Sequence, residues 1–189
     1  MKKTAVIFPG IGYHADKPLL YYGAKLAISL GYEVIKTEYP FCSVNLLEAN
    51  EEQMRSFTEG CVKKTVAELK EKLAGVEDIL FISKSIGTAV ATASAGMLGC
   101  EVRHILFTPL KDTFVFVKPG SGIAFNGTKD SWADWKLVKE LCEKKDIPLT
   151  TFEDANHSLE TGDVMTDLAA MQKVMTKTEQ YIKRGGAPQ

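Results

Sequence analysis

The stretch Leu80-Phe-Ile-Ser-Lys-Ser-Ile-Gly-Thr-Ala-Val-Ala-Thr-Ala-Ser-Ala95 decides how this chain is read. An apolar run, Leu80 to Ile82, stops at Ser83-Lys84-Ser85, and a small-residue pattern suited to a helix begins at once. A strand passing directly into a helix needs a tight turn with little room for side chains. Ser83 and Gly87 flank Ser85 two residues away on each side, where that turn demands small residues. Ser85 is then held in strained backbone at the carboxyl end of a strand, its hydroxyl pointing out of the sheet edge. The N–H groups of the following helix lie beside it, ready for an anion. The plainer alternative is that Ser85 only caps the helix.

Outward from this corner, short β-rich runs alternate with longer helical patterns. The expected strands are 4–8, 33–37, 79–82, 104–107, 122–125 and 149–152, several of them near-continuous apolar runs of the kind covered on both faces. The expected helices are 18–30, 50–73, 86–98, 132–145 and 164–184. Pro18 and Gly31 bracket the first, with Asp16 as its cap. Asn50 and Gln53 form a capping box for the second, and Ser131 caps the fourth. The last carries Val164, Leu168, Met171, Met175 and Ile182 on one face, a core stripe rather than a binding groove. Repeated β-α units imply a mostly parallel sheet with helices on both faces, an α/β fold. Residues 1–184 read as one domain, 109–120 as its least regular segment and 185–189 as a disordered tail.

Composition is that of a soluble globule. The 189 residues are 45% hydrophobic and 25% charged, with a net charge of −1. Scattered lysines and arginines offer nothing to nucleic acid or to an anionic membrane. The apolar run at 5–8 is too short for a signal peptide, and no run approaches membrane-spanning length. Cys42, Cys61, Cys100 and Cys142 lie far apart, as reduced thiols of a cytoplasmic protein do, with no expected metal.

A serine hydroxyl is a poor nucleophile near neutral pH and needs a base, which needs an orienting acid. Of three histidines, His104 starts a strand at the far end of the sheet and His14 lies in the first loop. His157 follows the last strand in TTFEDANHSLETGD, on the same edge as Ser85, and is the expected base. The acid should follow the preceding strand, where GIAFNGTKDSWADW supplies Asp130. A Ser131/Asp134 cap would free Asp130 to point across the sheet edge. Asp154 is too near His157 in the chain to back it easily.

The order Ser85, Asp130, His157, each after an expected strand, resembles the α/β-hydrolase superfamily. The segments NGTKD and ANHSLE are similar to the acid and histidine segments of small lidless members, including dienelactone-hydrolase-like proteins. The resemblance implies a six-stranded sheet ordered 2-1-3-4-5-6 and a serine hydrolase without cofactor. It also implies an oxyanion hole: one donor is the Ile86 N–H, the other the Ile11 N–H in IFPGIGYHADKP, with Gly12 next. Two departures stand out. Ser83 occupies the first glycine's place in G-x-S-x-G, and the dienelactone hydrolases usually carry cysteine where this chain has Ser85.

The expected substrate is a small acyl ester or thioester, with peptide and lactone substrates left open. Tyr13, Phe41, Leu110, Phe114, Trp132 and Leu159 are candidates for a small apolar pocket, and all could equally be core. Lys84 and Lys111 are read as surface lysines, with contact to an anionic substrate as the alternative. Two other functions stay open: a non-catalytic binding module of the same fold, and a dinucleotide site. The latter rests on Gly10-Ile11-Gly12-Tyr13-His14-Ala15, which also matches G-x-G-x-x-A. In that reading Pro18 would fall inside a helix, at a cost of ~3 kcal/mol. Oligomeric state is not legible.

Overall fold

The computed structural model describes residues 2–40, 45, 46 and 48–185; Phe41, Cys42 and positions 186–189 lie outside the described residues. Six strands form one sheet in the order β2-β1-β3-β4-β5-β6. They are β1 (Lys3–Phe8), β2 (Glu33–Lys36), β3 (Asp78–Lys84), β4 (Arg103–Phe107), β5 (Gly122–Gly127) and β6 (Leu149–Phe152). Every neighbouring pair is parallel. The helices between them are α1 (Pro18–Ser29), α2 (Glu51–Lys72), α3 (Ile86–Leu98), α4 (Thr113–Phe116), α5 (Trp135–Lys144) and α6 (Val164–Lys183).

The period-two alternation of strand side chains splits the core between two faces. Ala5, Ile7, Leu80, Ile82, Ile105 and Phe107 pack with Leu19 and Leu20 of α1 and Val174 and Ile182 of α6. Their neighbours Val6, Phe8, Ile79 and Phe81 pack with Cys61 and Leu69 of α2 and Val90 and Ala91 of α3. On that second face Leu106 and Ala124 meet Phe114 of α4 and Val138 and Cys142 of α5. The small side chains of α3 let it settle so close that every residue from Ile86 to Ala95 is buried. At the amino edge Arg103 binds Asp78 at 2.9 Å and donates to the Tyr181 carbonyl at the end of α6 at 3.2 Å, fastening that helix to the sheet. His104 is buried beside it, and burial pushes its pKa down to about 3, so it sits neutral against Phe81.

Three local expectations are corrected. Asp16 does not cap α1; it pairs with Lys36 at 2.6 Å, and Lys17 takes the cap position without a side-chain bond. Ser131 does not cap α5. That helix starts three residues later, at Trp135, where Asp134 accepts from the Lys136 N–H at 2.9 Å. The residues in between fold around Asp130 instead. The stripe on α6 is core at Met171, Met175 and Ile182, whereas Val164 and Leu168 are exposed.

Candidate active site

Lys84 ends β3 and Ile86 begins α3, leaving Ser85 alone to make the turn. Its backbone has φ 57° and ψ −127°, a region that L residues rarely adopt, and its side chain makes no capping bond. Ser85 therefore holds the cap position by its backbone alone, its carbonyl accepting from the Thr88 N–H at 2.9 Å, and its hydroxyl is not used by the helix. Surrounding structure holds the strained corner: the Ser85 N–H donates to the Phe107 carbonyl at 3.0 Å. A side-chain carbon on Gly87 would lie 2.4 Å from the Pro9 oxygen and 2.5 Å from the Phe8 oxygen, so only glycine lets α3 start this near β1. Ser83, in place of the usual first glycine, is fully buried and donates to the Ile105 carbonyl at 3.2 Å, without crowding the turn.

The loops after β5 and β6 are laced together. Lys129 N–H donates to the Ala155 carbonyl at 3.0 Å, and Asp154 N–H to Thr128 Oγ1 at 2.8 Å. Gly127 permits the crossing, because a Cβ there would stand 2.1 Å from the Ala155 oxygen. Beyond the crossing, Asn156 Oδ1 accepts from the Ser158 and Glu160 N–H groups at 2.7 and 3.2 Å, closing the loop on itself. Leu159, at φ 62° and 3% exposed, drops into the α1/α6 core and anchors the loop from below.

These loops bring Asp130 and His157 to Ser85. His157 Nδ1 stands 2.7 Å from Asp130 Oδ2, and His157 Nε2 stands 2.8 Å from Ser85 Oγ. A carboxylate only accepts, so Nδ1 carries the proton and Nε2 presents its lone pair to the serine hydroxyl. The Asp130 side chain is fully buried, and its other oxygen accepts from the Trp132 and Ala133 N–H groups at 2.8 and 3.1 Å. One carboxylate thus shapes its own turn and orients the imidazole. It needs no separate Ser131 cap to free it. Burial holds the His157 pKa below its ordinary 6.5; the Asp130 hydrogen bond opposes that and the Lys84 charge adds to it. Asp134 and Asp154 are engaged elsewhere, with α5 and with Lys129 at 2.8 Å. His14 is exposed in the first loop.

That first loop folds back on itself. Gly10 N–H donates to the Tyr13 carbonyl at 3.0 Å and Tyr13 N–H to the Gly10 carbonyl at 3.3 Å, leaving Ile11 and Gly12 at the tip. Its base touches the elbow, since a Cβ on Gly10 would sit 3.2 Å from Ser85 Cβ. Ile86, first residue of α3, carries an N–H that the helix itself does not use. With α1 starting at Pro18, Gly10 to Ala15 form loop, not the helix start that a dinucleotide fingerprint requires.

The expected pocket is mostly corrected. Tyr13 and Leu159 belong to the α1/α6 core and Phe114 to the α5 side, because each fills space beneath a loop. The Tyr13 hydroxyl also accepts from the Leu19 N–H at 3.1 Å. Leu110 packs half-buried against the α5 cluster. Trp132 is 57% exposed, its ring 6.3 Å from the His157 ring. Lys84, read as a surface lysine, is 2% exposed. Its register could have shown this: it continues the Leu80, Ile82 parity into the α1/α6 core. Among the described residues, no group of His, Cys, Asp and Glu gathers as metal ligands would.

A scan against protein-family models and a search of curated proteins each return no match. Solved structures do resemble the chain. A lidless α/β serine hydrolase from Xanthomonas campestris is 14% identical over 97% of this chain and 83% of its own, with a TM-score of 0.71. A protein of unknown function from Agrobacterium tumefaciens, provisionally assigned to the α/β hydrolases, is 18% identical over 97% and 85%, also at 0.71. The Est1E protein of Butyrivibrio proteoclasticus, solved with ferulic acid bound, is 11% identical over 97% and 89%, at 0.70. At such identities the likeness is one of fold. Together with the sheet order it gives this chain the α/β-hydrolase fold. Among the described residues no helix is long and apolar enough to cross a membrane.

Proposed function

We propose that the protein is a serine hydrolase that cleaves small acyl esters or thioesters through an acyl-enzyme on Ser85. The observation that carries this reading is the unbroken hydrogen-bonded chain from Ser85 through His157 to Asp130. His157 Nε2 takes the hydroxyl proton as Ser85 Oγ attacks the carbonyl carbon. Asp130 holds the imidazole tautomer and steadies the imidazolium. The Ile86 and Ile11 N–H groups receive the oxyanion, with Gly12 next; such donors contribute ~3 kcal/mol each to the transition state. His157 then gives its proton to the leaving alcohol or thiol, and water repeats the sequence to release the acid.

Hydrolase neighbours in the structural comparison support the reaction class. The exposed Trp132 face beside His157 suits a small planar or short-chain group. Ferulic acid in Est1E puts aryl esters on the substrate panel. A cytoplasmic setting is part of this reading, supported by cysteines that lie far apart in the sequence. The test is labelling with a fluorophosphonate, followed by acyl esters and thioesters of graded length. Covalent mass gain on Ser85, lost in Ser85→Ala, is the expected result. An unlabelled, folded protein would make it a non-catalytic binding module.

A further inference from the structure

Lys84 is the residue that the proposed chemistry does not use and that the fold does not easily explain. Its side chain follows Leu80 and Ile82 on the α1/α6 face, so its stem extends the apolar core upward. A lysine this buried, at 2% exposure, is ordinarily paired with a carboxylate. Among the described residues, no carboxylate reaches ion-pair distance of Nζ. The ammonium instead lies 5.1 Å from the centroid of the Tyr13 ring, a cation–π contact with the loop that carries Ile11. The titratable groups facing it come from three loops: Tyr13 after β1, Asp130 after β5, and His157 and Glu160 after β6.

We propose that Lys84 is a positioning residue that acts through His157: its buried charge joins the Tyr13 loop to the base-bearing loop and keeps the imidazole in its neutral, proton-accepting form. Burial pushes the Lys84 pKa down to about 7, with Asp130 and Glu160 pulling it back up. The amine therefore gains its proton as pH falls toward acid. At that point its new charge opposes protonation of His157, and the base stays usable further into the acid range. Apolar filling at this position would serve packing better, so the charge serves the site and not the core.

The kinetic part of this inference rests on the hydrolase reading; the spectroscopic part does not. The experiment follows the His157 ring by NMR from acid to alkaline pH in the wild type, Lys84→Met and Lys84→Arg. His157 titrates at higher pH in Lys84→Met than in the wild type, and Lys84→Arg, which keeps a charge, restores the low midpoint. The Tm of Lys84→Met rises at pH 7, since an unpaired buried amine is gone. On an ester, the ratio of kcat/KM at pH 6 to that at pH 8 falls in Lys84→Met, with KM unchanged. An unaltered His157 midpoint in folded Lys84→Met overturns the proposal. Failure of both Lys84→Met and Lys84→Gln to fold overturns it too, leaving Lys84 a purely structural residue. A wild type without turnover refutes the hydrolase reading, while the His157 midpoints still decide the role of Lys84.

Discussion

Gly87 stands so near Pro9 that a single added methyl would press to 2.4 Å of the Pro9 carbonyl oxygen, a backbone atom that cannot swing aside. This contact couples the start of α3 to the end of β1. It thereby sets the distance between the Ser85 corner and the loop that carries Ile11.

Gly87→Ala should therefore push α3 away from β1 and open the corner. Overpacking of this kind costs about 1–3 kcal/mol. For a chain of this size that lowers Tm by roughly 2–4 °C per kcal/mol. Labelling of Ser85 should slow far more than the stability loss explains. A variant that labels at the wild-type rate would show that the elbow tolerates the shift.

Asp130→Asn separates geometry from charge. The Asn oxygen can still accept the Trp132 and Ala133 N–H groups, so the turn should keep its shape. The amide now faces His157 Nδ1 with its donor, which forces the imidazole proton onto Nε2, the nitrogen that must receive from Ser85. Turnover of a p-nitrophenyl ester should fall by about 10⁴-fold with little change in Tm. Retained activity would place the acid elsewhere.

Most of this site was legible because its residues sit where the chain changes period. Ser85, Asp130 and His157 each follow an expected strand, and a parallel sheet sends the carboxyl ends of such strands to one edge. The strand limits were short by a residue or two at β3 and β5, whose polar ends Lys84, Asn126 and Gly127 still pair in the sheet or remain buried. Tyr13, Phe114 and Leu159 were not separable into pocket and core, since apolar character alone does not say which side of a loop a ring or a leucine fills. The Asp130 turn was missed for a related reason: one carboxylate has two oxygens, and a sequence shows one residue.

Leu159 tests how the base is held. Its positive φ of 62° and its burial in the α1/α6 core fix the loop two residues beyond His157. Leu159→Ala should cost about 2–5 kcal/mol, as buried leucine truncations do. Because the anchor serves His157, kcat should drop at temperatures well below the melt, while affinity for a substrate analogue holds. If kcat is unchanged in the folded variant, the Asn156 hydrogen bonds alone position the ring.

The pH dependence follows from the same imidazole. In the proposed mechanism turnover needs neutral His157, and burial lowers its pKa from 6.5, so activity should rise with pH along a limb centred below 6.5 and stay level above it. Stability should change in the same direction for a separate reason. His104 protonates at about 3 when folded but near 6.5 when unfolded, so below 6.5 the unfolded chain binds the extra proton. Its contribution is full above 6.5 and is lost as pH falls toward 3. Tm measured from pH 7 to pH 4 should decline, and His104→Gln should flatten that decline without moving the activity limb. A variant that shifts both would mean the amino edge of the sheet and the Ser85 edge are coupled through β4.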